Sequence, residues 1–258
     1  MTKPQKALLI FLVLALCCGS WTHAQKTDGD EFAGFEDNML ALTRLSEQVA
    51  MDQLSIKTFR CQERIVVEEL DHKTQRSRHE ESTHSFSVRR LPDKRVNEKL
   101  IFSESRTPTL EVTQLPQVPL MDQPFTGEWL GTFSFENRLT NDFEKLPSEQ
   151  IAGRECLVFG FETVPQISAG KIMLMGKQVP LRQRGRVWID AESFQLVRFV
   201  ASQIKLPKGC RSYEYRVDFR PQRLFGTTMS IPARAETRLV LKDKTFVMVQ
   251  DYSRFEAI

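Results

Sequence analysis

The sequence predicts an α+β protein that is mainly antiparallel β, with one N-terminal helix and roughly nine to eleven strands in a strongly curved sheet around it. Three observations carry this. Apolar residues recur every three or four positions only between Phe32 and Val49. From Lys57 onward apolar and polar residues alternate instead, most regularly in 213–220 (YEYRVDFR). Turn-forming clusters separate these runs at hairpin intervals, with no internal repeat and no second composition regime, so 25–258 reads as one domain.

Residues 1–24 have the three parts of a secretory signal peptide: a basic start at Lys3 and Lys6, an apolar run over 7–18, and small residues Thr22 and Ala24 before Gln25. The run is shorter than the ~20 residues a membrane span needs. Cleavage after Ala24 and export to the periplasm are expected. Lipoprotein processing at Cys17 or Cys18 is disfavoured, because Leu16 and Cys17 occupy the place of the required small residue. Of 36 basic residues, two leave with the leader, so 34 face 33 acids. That balance, with no concentrated basic patch, gives no argument for nucleic-acid binding.

Asp28 and Asp30 cap a predicted helix that begins near Glu31 and ends around 51–54. Its apolar stripe is Phe32, Phe35, Met39, Leu42, Leu45 and Val49. Strands are predicted at 59–70, 76–90 and 95–103, with turns at 71–74 and 91–94. Pro108, Pro116, Pro119 and Pro124 make 107–124 an extended connection. Further strands are expected at 125–136, 154–164, 185–190, 194–206, 213–220, 231–241 and 245–255.

Few residues point to chemistry. His72, His79 and His84 lie close together in sequence, but 79 and 84 fall on opposite faces of a continuous strand, so no metal is expected. No nucleophile elbow, phosphate loop or dinucleotide turn is present, and neither an enzyme nor a cofactor is expected. Cys61, Cys156 and Cys210 allow three disulfide pairings or buried thiols.

The apolar strand faces are the sharper clue. Phe194, Leu196 and Val200 are expected on one face, interrupted by Arg198, and Tyr213, Tyr215, Val217 and Phe219 on another. These eight are the candidate ligand-lining residues. Arg198 is suited to an acidic headgroup or to an internal ion pair. Ile172, Met173, Leu174 and Met175, bracketed by Gly and Lys, form a candidate exposed apolar tip for peripheral membrane or partner contact, or else a core strand.

The segment GRVWIDAESFQLVR (185–198), with Ile231-Pro232-Ala233-Arg234 and Asp251-Tyr252-Ser253-Arg254-Phe255 after it, resembles the Lol-type (LolA/LolB-like) lipoprotein carriers and their exported relatives. The resemblance covers about the last 75 residues well and the rest in layout. It implies an unclosed β-barrel with a helical lid over an apolar cavity that holds acyl chains or apolar segments of partners without chemistry. One branch of that family senses envelope stress through a partner protein. The expectation is therefore an exported binding protein for an acyl chain, a lipid or a lipidated protein segment. The second reading is an envelope regulatory or structural protein with a self-filled core, acting through protein contacts. A metal-binding or hydrolytic role is third.

Overall fold

The alternation of 213–220 is realised as burial: Tyr213, Tyr215, Val217 and Phe219 are buried, while Glu214 and Arg216 are exposed. The computed structural model describes residues 28–71, 73, 75–90, 96–101, 125, 128–134, 138–165, 167 and 170–258. The expected leader, the 91–94 turn and the Pro-rich 107–124 connection lie outside the described residues. The chain divides into two compact units, Met1–Leu42 and Thr43–Ile258.

Helix α1 (Asp28–Ser55) crosses from the first unit into the second. Of the first unit, Ala41 and Leu42 are buried and Leu40 is exposed. In the second unit Leu45, Ser46 and Val49 are buried, whereas Arg44 and Glu47 are exposed and ion-paired at 3.2 Å.

The strands are β1 (Phe59–Asp71), β2 (Arg76–Arg90), β3 (Val96–Ile101), β4 (Asn141–Ile151), β5 (Arg154–Thr163), β6 (Lys171–Leu174), β7 (Lys177–Pro180), β8 (Gln183–Asp190), β9 (Leu196–Gln203), β10 (Cys210–Leu224), β11 (Thr227–Leu241) and β12 (Lys244–Ala257). Ten form one antiparallel sheet in the order β3-β2-β1-β12-β11-β10-β9-β8-β5-β4. Its end strands, β3 and β4, are not paired with each other, so the sheet is curved but unclosed. β6 and β7 form a separate hairpin.

Two sequence expectations are corrected. The segment expected as a strand at 125–136 holds a turn at Phe125 and a 3-10 helix, Glu128–Phe133. It supplies plugs to the core rather than a strand: the Phe125 ring lies 5.3 Å from Phe59 and 5.2 Å from Tyr252. Strand β4 was not expected at all. Its sequence, NDFEKLPSEQI, is mostly polar and contains Pro147, which is tolerated because β4 is an edge strand with a register shift between Leu146 and Glu149.

Three hairpins close on two-residue turns with both residues at positive φ: Ala152-Gly153, Met175-Gly176 and Phe225-Gly226. These turns match the right-handed twist of their strands. The first residue of each is not Asn or Asp, so none carries the usual sequence signal.

Candidate functional site

The last turns of α1 sit against β11, where the Ser230 backbone N–H donates to the Asp52 carboxylate at 3.2 Å. Burial raises the Asp52 pKa, and bonds from Gln48 and Ser230 partly oppose that. The helix has no basic residue in its last turn. Arg90, at the end of β2, donates instead to the carbonyls of Ile56 (2.6 Å) and Gln53.

The cavity left beneath this helix end is about 20 Å³, lined by Val49, Ile56, Phe125, Leu196, Phe219 and Met229 among others. Of the eight candidate lining residues, only Leu196 and Phe219 reach it. Tyr213, Tyr215 and Val217 lie on the same inner face but are core. The Tyr215 hydroxyl accepts the Gln183 side-chain amide at 2.7 Å, and burial drives its pKa far upward. A polar group interrupts this interior: Glu63, 1% exposed, accepts Gln250 Nε2 at 2.8 Å and the Tyr252 hydroxyl at 2.9 Å. Burial raises the Glu63 pKa, against both hydrogen bonds.

The remaining candidates leave the inner face. Phe194 is half-buried in the β8–β9 turn at φ 56°. A register shift between Trp188 and Ile189 pairs Ile189 with Leu196 and Trp188 with Arg198, skipping Val197. This bulge puts Leu196 inside and turns Arg198 and Val200 to the outer face. Strict alternation from Phe194 onward misses it. Arg198 ion-pairs with Asp218 at 2.5 Å and lies 5.7 Å over the Trp188 ring, whose Nε1–H donates to Glu149 at 2.9 Å. Trp188, Cys156, Val158 and Val197 form a small core on the outer face.

Beside that core lies an open groove of about 630 Å³ across β4, β5, β8 and β9. Register fixes its layout. Glu144, Gly160, Arg186 and Val200 form one row across the four strands, and Asp142, Glu162, Arg184 and Ser202 the next. Gly160 is the low point between Glu144 and Arg186, and Trp188 bounds one end. In sequence only the alternation of Asp142 and Glu144 signals the groove, because the polar, proline-bearing segment of β4 does not read as a strand.

Of the 172–175 run, the Met173 side chain lies outside the described residues. Leu174 is fully buried, Ile172 and Met175 are half-buried, and β6–β7 is a paired hairpin. His79 is exposed, 3.2 Å from Glu68, while His84 is buried on the opposite face, its pKa lowered by burial. Among the described residues no three of His, Cys, Asp and Glu converge as metal ligands. Cys61 and Cys156 are buried thiols and Cys210 is partly exposed, none bridged to another.

No protein-family model matches the chain, and no curated protein matches it in sequence. Solved structures do. The chain is similar to a LolA superfamily protein from Nitrosomonas europaea, at 14% identity over 84% of this chain and 93% of that one, with a TM-score of 0.38. It is similar to a DUF1329 family protein from Desulfovibrio piger, at 10% identity over 84% and 92%, with a TM-score of 0.44. A chain of the Pseudomonas aeruginosa MucA/MucB complex matches at 12% identity over 82% and 93%, with a TM-score of 0.25.

Proposed function

We propose that the chain is an exported, non-enzymatic protein of the cell envelope that works through protein contacts, with its sheet filled by its own side chains. The observation that carries this reading is the 20 Å³ cavity under the helix end. Ligand pockets run to roughly 300–1,000 Å³, so this cavity has room for about one water and none for an acyl chain. The signal-like leader supports export. No helix among the described residues is long and apolar enough to cross a membrane.

A second reading, an acyl or lipid carrier, draws on the cavity's apolar lining. One wall is the end of α1 and the segment at Phe125 and Leu130, not the sheet alone, and a lid of that kind opens by displacement. Native mass spectrometry of the exported form, purified without detergent and incubated with phospholipids, separates the two. A mass that stays unliganded is expected. An acyl-containing adduct, lost when Phe219 is replaced by Trp, overturns the first reading in favour of the second.

A further inference from the structure

We propose that the outer-face groove across β4, β5, β8 and β9 binds an extended segment of a protein partner, one that carries an apolar side chain between a basic and an acidic one. This deepens the protein-contact reading and rests on it. The groove is built in three parts. Its floor is Gly160, the only position in its row without a side chain, so the sheet face dips there. Glu144 stands on one side of the dip and Arg186 on the other, two strand spacings or roughly 9.5 Å apart. Trp188 and Val200 supply apolar surface.

The charges decide the occupant. On β1, β2, β9, β10, β11 and β12 of this same face, outward charges form ion-pair chains: Arg198–Asp218–Arg216, and Glu81–Arg64–Asp251–Arg234. At the groove, Asp142, Glu144, Glu162, Arg184 and Arg186 are exposed and form no ion pair among the described residues, although Glu162 and Arg184 are directly opposed in register. Acids therefore line one wall and arginines the other, each open to a ligand of the opposite sign. A free amino acid carries its two charges on one carbon, too close to meet both walls. In an extended peptide, side chains at i−2 and i+2 stand roughly 6.6 Å to either side of residue i. That spacing puts residue i over Gly160, a cation toward Glu144 and an anion toward Arg186.

The probe is acetyl-Lys-Ser-Leu-Ser-Glu-amide, titrated at low salt against the purified protein with backbone amide shifts as the readout. Saturable shifts at Gly160 and Arg186 are expected. Arg186→Glu should weaken binding about tenfold or more, and acetyl-Lys-Ser-Leu-Ser-Lys-amide should restore it to that variant. Gly160→Leu should also abolish binding by filling the floor. Its Cβ meets Leu146 Cδ1 at an ordinary 3.6 Å, and the exposed Arg186 variant keeps the test open should the Leu variant fail to fold. Absence of saturable shifts, equal binding by all variants, or binding of phosphatidylglycerol vesicles in place of the peptide overturns the proposal. An unliganded native mass with no peptide binding sinks the groove alone. An acyl adduct with groove binding intact sinks the parent reading alone.

Discussion

Glu63 accepts the Tyr252 hydroxyl at 2.9 Å and the Gln250 side-chain amide at 2.8 Å from a position 1% exposed, so a carboxyl group stands inside an aromatic core on two neutral donors. The ring of Tyr252 packs at 5.2 Å against Phe125, which closes that core. Removing such a charge from water is costly unless a cation compensates.

The pH dependence follows from the raised Glu63 pKa. Below the ordinary carboxylate range the group is protonated in both folded and unfolded chains, and its burial costs no charge. As pH rises past that range the unfolded chain releases the proton first, so stability falls until the folded-state value is passed. Glu63→Gln keeps acceptor and shape without the charge. We expect its melting temperature to match the wild type near pH 4 and exceed it at pH 7, read by thermal circular dichroism. An equal gap at both pH values would refute the assignment.

Gly185 is required for close approach. A Cβ there would lie 1.9 Å from the Val200 carbonyl oxygen, which is backbone and cannot swing away. Gly185→Ala is expected to cost about 3 kcal/mol or more in urea unfolding. Gly160→Ala meets Leu146 Cδ1 at 3.6 Å and the Glu144 carbonyl oxygen at 3.9 Å, both ordinary contacts, and should cost less than about 1 kcal/mol.

Arg90 caps α1 from another element. Arg90→Ala leaves the Gln53 and Ile56 carbonyls without that donor and should destabilise the chain by about 1.5–3 kcal/mol. Hydrogen exchange should quicken in 50–56 first. Exchange that quickens evenly along the chain would place the loss elsewhere.

Leu174 tests the β6–β7 hairpin. Because its side chain is fully buried, Leu174→Ala should cost about 2–3 kcal/mol in urea unfolding. A cost within about 0.5 kcal/mol, as at a surface position, would restore the exposed-tip reading.

The three thiols should alkylate in a fixed order. Cys210, partly exposed, should react with iodoacetamide before Cys156 and Cys61. Burial raises the pKa of both Cys210 and Cys156, so labelling of the native protein should be slow at pH 7 and quicken as pH rises. Peptide mapping gives the order directly.

Alternation and periodicity, read from residues alone, determined the helix, most strand positions and the dry face of β10, because burial of a regular element repeats at the period of its backbone. The bounds of β2 were legible to the residue, since a turn at 71–74 precedes it and Arg90 ends its alternation. What escaped depended on relations between distant residues. The bulge that turns Arg198 and Val200 outward is a mismatch between β8 and β9, invisible in either strand by itself. Strand β4 exists because β5 offers it a free edge, which outweighs its polar, proline-bearing sequence. The fold class holds under either pattern of filling, so the sequence left open whether the sheet encloses a ligand or its own rings. Tertiary packing placed Phe125 and the end of α1 around the cavity of about 20 Å³ on the inner face, and gathered the exposed charges of β4, β5 and β8 around Gly160 on the opposite face, because these groups come from positions far apart in sequence.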